Sequence, residues 1–306
     1  MEPPQTDWND VWKYLSDRSK NQHSKEQRNP WGSKENAIWF LKESKKHTKW
    51  TEQILQNLPL SDEYKVLDIG AGPGRMAIPM SGRVAHITTI EPGAGMMEVL
   101  KEQVAEHDVH NITTIPKRWE DVDIGQDLEG PYDLVIAFGS LGGMPDIRDA
   151  VMKMCVASRK WVYLSTGAGI STGEQKAIDL WPVLHGCEFY PGPRADILYN
   201  VLYDMGIYPN VKSEQRNSIQ TYPDMESAVQ RFRKNFLISS PEQEMIMRDY
   251  LKATLETGEN GYFLRQQEYP VIFWWDVSEI DQSAISVKSR YGHKNGGVRC
   301  QTITRK

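Results

Sequence analysis

The sequence predicts an α/β fold with a mostly parallel sheet of seven strands and helices on both faces. The first observation is a short apolar run, residues 65–69, that ends at a glycine-rich loop. The second is the alternation of four further apolar runs with helical segments over residues 86–166, a spacing that is typical of a parallel sheet. The third is a strongly apolar stretch at residues 269–277, which supplies the last strand.

The composition is that of a folded chain with no overall attraction to nucleic acid. Of the 306 residues, 39% are hydrophobic and 25% are charged, close to the globular average. The formal net charge of −5 provides no global positive field for nucleic acid or an anionic membrane. No apolar run reaches the length of about 18 residues that a membrane span requires. We therefore expect a cytoplasmic protein with no membrane partner, and the acidic balance argues against nucleic acid as a partner.

The cysteines indicate neither a disulfide framework nor a metal site. Cys155, Cys187 and Cys300 are scattered and odd in number, and none belongs to a CxxC pair. The N-terminal stretch MEPPQTDWND is acidic and polar, unlike a secretory signal. We expect no bound metal.

The first sixty residues predict a helical lid or cap, residues 1–60. Trp50, Ile54 and Leu58 recur every four residues and share one face of a helix that Pro59 ends. Residues 18–49 are rich in Lys and Arg. Two interpretations of that charge stay open: a solvated helix face, or a basic lid over an acidic substrate.

The next hundred residues supply the first five strands in order. The strands are read in the runs KVLDIG, AHITTIEP, NITTIPKRWED, YDLVIAFGS and KWVYLST. The helices between them are read in RMAIPMSG, AGMMEVLKEQVAEH and IRDAVMKMCVAS.

The second half of the chain adds helices around two further strands. A sixth strand is expected in IYPNVKSEQ, and the seventh in YPVIFWWDV. Between them the sequence predicts a helical insertion at about residues 222–262, in which Ser240 and Gln243 form a capping box. The polar, basic residues 283–306 are expected to be a disordered tail or vector-derived sequence.

The glycine-rich loop predicts a site for an adenosine-type ligand. Gly70, Gly72 and Gly74 permit positive φ and let backbone amides approach a ligand. In open α/β sheets such ligands bind at the carboxyl ends of the strands. Glu91 ends the second strand, where an acid accepts hydrogen bonds from ribose hydroxyls.

Both NAD and S-adenosylmethionine fit this pattern, and three features favour the second. The loop is GxGxG and not GxGxxG. Asp68 precedes the first glycine by two residues, where it would anchor an amino group but would repel a pyrophosphate. An amino-acid sulfonium also needs no helix N-terminus for a phosphate.

These motifs resemble the class I S-adenosylmethionine-dependent methyltransferases, small-molecule branch. The resemblance is carried by VLDIGAGPGR, IEPGAGMMEVL, RWED and YDLVIAFGSLGGMPD, and extends more weakly to LYDMGIYPNV and YPVIFWWDV. It implies a Rossmann-like methyltransferase fold over residues 61–282, with the seventh strand antiparallel. It also implies S-adenosyl-L-methionine as cofactor and S-adenosyl-L-homocysteine as product.

The resemblance assigns roles to individual residues. Asp68 and Gly70 would hold the methionine part, Glu91 the ribose, and Glu120 or Asp121 would face the adenine amino group. Met96 and Trp119 would sandwich the adenine, and residues 138–141 would lie beside the reacting methyl. The full set of expected cofactor-binding residues is Asp68, Gly70, Ala71, Gly72, Gly74, Glu91, Pro92, Met96, Trp119, Glu120, Phe138 and Gly139.

The function expected from the sequence is methyl transfer to a small-molecule acceptor by in-line displacement. The cofactor carries the reactivity, so the protein mainly aligns the reactants and excludes water. The catalytic residue is left unassigned; His185, near the end of a predicted helix, is a candidate for the acceptor pocket, and a structural helix-end histidine is the alternative. A protein side chain or RNA as acceptor, a non-catalytic binding module and a nicotinamide-dependent oxidoreductase stay open.

Overall fold

The chain folds around a seven-stranded sheet whose last strand runs against its neighbours. The computed structural model describes residues 6–22, 30–45, 48–259 and 261–280, so the expected tail at 283–306 lies outside the described residues. The strand order is β3 (Ile112–Ile115), β2 (His86–Ile90), β1 (Lys65–Ile69), β4 (Tyr132–Phe138), β5 (Ser158–Gly167), β10 (Pro270–Asp276) and β6 (Asn210–Ser213), and β10 is antiparallel to both β5 and β6. The expected fold class is confirmed.

The strands are short, and most of those in the large sheet follow the apolar runs of the sequence. The remaining bounds are β7 (Arg216–Tyr222), β8 (Glu256–Gly258) and β9 (Gly261–Glu268).

The helices lie between and around these strands. Their bounds are α1 (Trp8–Asn21), α2 (Lys34–Lys45), α3 (Thr48–Asn57), α4 (Ala77–Met80), α5 (Ala94–Glu106), α6 (Ile124–Asp127), α7 (Ile147–Ala157), α8 (Thr172–His185), α9 (Ala195–Asp204), α10 (Met225–Asn235) and α11 (Pro241–Thr254). Within the described ranges, none of these helices is long and apolar enough to cross a bilayer.

Two separate apolar clusters cover the two faces of the large sheet. On one face, Trp12 of α1 is fully buried among residues of β4, β5, α7 and α9, and its indole Nε1 donates to the Met144 carbonyl at 2.9 Å. On the other face, Ile54 and Leu55 of α3 pack over β1 and β4. Helices α1 and α3 are therefore built into the core on opposite sides of the sheet, because each buries one apolar stripe.

The insertion between β6 and β10 is larger than expected and is not only helical. It spans residues 216–268 and contains a three-stranded antiparallel sheet, ordered β7-β9-β8, besides α10 and α11. We call this the small sheet. Strand β7 carries only a weak signal in the sequence because its inward side chains, among them Ser218 and Gln220, are polar, so no apolar alternation marks the strand. The capping box of Ser240 and Gln243 at the start of α11 is present as expected.

Helix α2 connects the large sheet, through α5, with the insertion, through α10. Near its first turn, Lys34 forms ion pairs with Glu98 and Glu102 of α5, at 2.6 and 2.5 Å. Further along the helix, the Trp39 ring lies 3.4 Å under the guanidinium of Arg231 on α10. The helix thus crosses from the large sheet to the insertion.

Candidate active site

The candidate site lies at the carboxyl ends of β1 and β4, where the strand order reverses. Strand β1 pairs with β2 on one side and with β4 on the other, both parallel. The chain therefore leaves β1 and β4 toward opposite sides of the sheet, which opens a crevice at their carboxyl ends.

The glycine loop adopts the left-handed backbone that the sequence predicted. The φ angles of Gly70, Gly72 and Gly74 are +75°, +57° and +91°. A Cβ on Gly70 would lie 2.2 Å from the Cβ of Ser140, whereas a Cβ on Gly72 would meet only the Met96 sulfur, at 4.0 Å. The loop thus packs closely on β4 at its start and leaves room for a ligand over Gly72.

Glu91 fixes the loop and still presents a carboxylate to the crevice. Its Oε2 accepts from the Gly72 amide at 2.9 Å and its Oε1 from the Gly93 amide at 2.7 Å. Burial raises the pKa of Glu91, and these two hydrogen bonds oppose the rise. Each carboxylate oxygen keeps a second lone pair, which suits a pair of ribose hydroxyls.

Asp68 is a buried carboxyl that lacks a partner for one oxygen. Only 2% of the residue is exposed, and its Oδ2 is sealed from solvent with no hydrogen-bond partner among the described residues. Burial raises the pKa of Asp68 to about 7; Arg75 opposes the rise and Glu91 adds to it. A cationic group of a ligand would offset the cost of ionising this carboxyl.

Arg75 is a functional candidate that the sequence analysis missed, although it directly follows Gly74. Burial lowers the pKa of its guanidinium and the negative charge of Asp68 raises it, so the two groups interact electrostatically. Its guanidinium lies 4.9 Å from the Trp50 ring and makes no hydrogen bond or ion pair within the described ranges. Asp68 thus offers a negative group that suits the ammonium of an amino acid. Arg75 offers a positive group that suits its carboxylate.

The end of β4 leaves open space beside the loop. Phe138 is buried, and Gly139 follows it with a φ of +77°. A Cβ added to Gly139, Gly142 or Gly143 would meet no described atom within 4 Å. Ser140 is held in place, since its Oγ donates to the Ile69 carbonyl at 2.7 Å.

The two residues expected around the adenine lie in different surroundings. Met96 is buried beside the loop, where it packs on Ala37 of α2. Trp119 is 3% exposed, and its Nε1 donates to the Ala150 carbonyl at 3.0 Å. Glu120 is exposed at the next position. The structure thus brings Met96 to the loop and ties the Trp119 indole into the core, and their adenine roles stay predictions.

His185 lies in the insertion's own apolar cluster. Its Nε2 donates to the Phe236 carbonyl at 2.9 Å, and its ring centroid lies 4.3 Å from that of Trp181. These contacts give His185 a structural role at the end of α8, and the catalytic role stays a prediction.

The small sheet turns a polar row toward the interior. Pairing in β7 and β9 places Arg216 opposite Glu268 and Ser218 opposite Gln266, all half-buried or nearly so. The Arg216 guanidinium lies 4.9 Å from the Trp50 ring, the same ring that Arg75 contacts. The insertion therefore reaches the glycine loop through Trp50.

Comparisons with known proteins agree with this geometry. A family model described as a methyltransferase domain matches residues 42–203, so residues 216–268 lie outside the match. An uncharacterized protein of Haemophilus influenzae is 27% identical over 245 residues, 77% of this chain and 84% of that protein. A protein-L-isoaspartate O-methyltransferase of Erwinia tasmaniensis is 32% identical over 95 residues, 31% of this chain and 43% of that enzyme. This chain thus aligns with less than half of that curated methyltransferase.

Solved structures share the fold. The YcgJ protein of Bacillus subtilis superposes with a TM-score of 0.51 at 14% identity, covering 74% of this chain and 97% of that one. A proposed methyltransferase of Bacillus halodurans superposes with a TM-score of 0.53 at 11% identity, covering 74% and 98%.

Proposed function

Because the chain belongs to the S-adenosylmethionine-dependent methyltransferases, with S-adenosylmethionine as its methyl donor, we propose that its acceptor is a small molecule. The acceptor binds between the carboxyl edge of the large sheet and the insertion. When bound, the cofactor supplies an electrophilic methyl group on its sulfonium.

The observation that supports this proposal is that one helix bridges the large sheet and the insertion. Helix α2 contacts α5 beside the loop, and a Cβ on Gly95 would lie 2.3 Å from the Ser33 carbonyl carbon. The same helix contacts α10 through Trp39 and through Asn36, whose Oδ1 accepts from the Lys234 Nζ at 2.5 Å. Helix α2 and the insertion at residues 216–268, which we together call the roof, would exclude water from this edge and leave little room for a macromolecule.

Different residues of the crevice would then contact different parts of the cofactor. Asp68 holds the ammonium and Arg75 the carboxylate of the methionine part. Glu91 holds the ribose hydroxyls, and Met96 borders the adenine. The backbone at Gly139 would leave space for the acceptor beside the methionine part of the cofactor.

The test is the fate of a labelled methyl group. The protein is incubated with S-adenosylmethionine that carries a tritiated methyl, together with a cell extract separated by ultrafiltration into small molecules and macromolecules. We expect label to enter the small-molecule fraction with the wild type and not with Asp68→Asn. Label that enters protein or RNA instead would contradict the proposal. The cytoplasmic location stays a prediction.

A further inference from the structure

Lys176 is a buried ammonium group without a partner. The residue is 6% exposed, and it makes no hydrogen bond or ion pair with any part of the chain that the structure describes. Burial lowers the pKa of Lys176 to about 8. An unpaired charge in such a place costs folding free energy, so a compensating ligand group is the natural explanation.

A second buried lysine among the described residues shows how this protein satisfies such a group elsewhere. Lys153 is 3% exposed, and its Nζ donates to the Trp119 carbonyl at 2.6 Å and to the Glu120 carbonyl at 3.3 Å. Lys176 has no such acceptors. Its Nζ is also not sealed from solvent, unlike the Nε of Arg231, so the side chain opens on accessible space.

The position of Lys176 places it at the carboxyl edge of the large sheet. Helix α8 begins five residues after β5 ends. Thr172 anchors the start of the helix, since its Oγ1 accepts from the Gln267 amide at 2.9 Å. Lys176 lies one helical turn further on the same side of α8, the side that packs on β9.

The surface that α8 covers is the inward face of the small sheet. Leu180 of α8 belongs to the same apolar cluster as Tyr222 and Leu264, which face inward from β7 and β9. On that same face the strands continue into the polar positions Gln220 and Gln266. Lys176 therefore stands where the apolar part of the insertion gives way to its polar row.

The neighbouring acid does not neutralise Lys176. Glu174 is occupied in its own contacts: its Oε1 pairs with Arg194 at 3.0 Å, and its Oε2 accepts from the Ser171 amide and hydroxyl, both at 3.0 Å. It also lies two residues away, on a different side of the helix.

We propose that Lys176 binds a carboxylate or phosphate group of the methyl acceptor, so the acceptors of this enzyme are small organic anions. The inference rests on the proposed function for its acceptor site. An ammonium on a flexible stem pairs with either oxyanion as a point charge. The anion supplies the missing partner and orients the nucleophile toward the methyl group.

The first experiment observes Lys176 directly. Protein labelled with ¹³C in lysine and loaded with S-adenosylhomocysteine is titrated with acetate, inorganic phosphate and acetamide, and the Lys176 Cε signal is assigned by its loss in Lys176→Met. We expect a saturable shift with at least one of the two anions and none with acetamide. Comparing acetate with phosphate shows which oxyanion is preferred. No shift with either anion, or an equal shift with acetamide, would overturn the proposal.

The second experiment measures selectivity. Methyl transfer is compared for pairs of acceptors that differ only as acid and amide, with Lys252→Met as a control because Lys252 is an exposed lysine of the insertion. Lys176→Met should lower kcat/KM for the acid by about tenfold to a hundredfold, the range of a charge-assisted hydrogen bond. Lys176→Arg should retain most of it. If Lys176→Met lowers kcat/KM equally for the acid and the amide, the side chain does not bind the anion and the proposal fails.

The outcomes separate this inference from the proposed function. Transfer to small molecules with equal rates for acid and amide leaves the proposed function standing and removes the role of Lys176. Anion binding at Lys176 in a protein that transfers no methyl to any small molecule removes the proposed function and leaves the anion site.

Discussion

At the scale of single residues, the site is governed by charges that the fold buries before any ligand arrives. Asp68 has one oxygen without a partner, and Arg75 has a guanidinium without a hydrogen bond among the described residues. Burying such groups costs free energy in a purely structural role, so we infer that a charged ligand completes the site.

The raised pKa of Asp68 predicts that cofactor binding depends on pH. Without ligand the pKa is about 7, because the carboxyl is buried. A bound ammonium stabilises the carboxylate and lowers that pKa, so binding below pH 7 must release a proton. The affinity for S-adenosylhomocysteine should therefore fall as pH decreases below the pKa, by up to about tenfold per pH unit.

Calorimetric titration in two buffers with different ionisation heats measures this proton release. Asp68→Asn should bind more weakly, with no dependence on pH over the same range. An affinity that is the same on both sides of neutral pH in the wild type would contradict the role of Asp68.

Gly70 predicts a large cost for a small substitution. In Gly70→Ala the new Cβ would lie 2.2 Å from the Ser140 Cβ, on a backbone with φ of +75°. We expect a loss of about 3 kcal/mol in the free energy of unfolding, since both overpacking and left-handed strain act. Urea denaturation measures it, with Gly142→Ala as the matched control because a Cβ there meets no described atom within 4 Å. Equal stability of the two variants would show that the loop does not pack as described.

Some site residues could be predicted from the sequence and others could not. Gly70, Gly72 and Glu91 stand at fixed distances from a strand, so spacing alone locates them. Lys176 sits in an ordinary amphipathic helix, where a lysine usually faces solvent. Only the packing of α8 on the small sheet, a contact between distant segments, reveals that it is buried.

At the scale of elements, helix α2 connects the two parts of the molecule that border the crevice. It lies against α5 through the ion pairs of Lys34 and against α10 through Trp39 and Asn36. Most strands of the large sheet were predictable because they lie in apolar runs, whereas all of β6 is exposed. The small sheet was not predictable, because its inward face is half polar and its pairing is set by the insertion as a whole.

Removing the contact between Trp39 and Arg231 should loosen the roof. In Trp39→Leu the guanidinium loses the ring that it stacks on at 3.4 Å. We expect faster amide hydrogen exchange in α2 and α10 of the variant loaded with S-adenosylhomocysteine, with unchanged exchange in β1 and β4. Ile38→Ala serves as control, because Ile38 is an exposed neighbour on the same helix. Exchange in α2 that matches the wild type would show that this contact does not hold the roof.

At the scale of the whole molecule, the sheet of the methyltransferase family carries an additional insertion, where we propose that the acceptor binds. The large sheet and its glycine loop fall in the matched family segment at residues 42–203, whereas the insertion at 216–268 falls outside it. The cofactor half could therefore be recognised from motifs. The proposed acceptor side had to be inferred from the burial of Lys176, the pairing of β7 with β9 and the charges that they carry.

The most direct test of the account is calorimetric titration of the purified protein with S-adenosylhomocysteine, comparing the wild type with Glu91→Gln. Glu91 accepts from the amides of Gly72 and Gly93, so the amide variant keeps the size of the side chain but loses its charge and turns a donor toward one of these two N–H groups. Glu98→Gln is the control, because Glu98 is an exposed carboxylate on α5. We predict micromolar binding to the wild type and to Glu98→Gln, and binding weakened by about tenfold or more in Glu91→Gln. Equal affinity in all three proteins, or no binding to any of them, would contradict the assignment of the cofactor site to this loop.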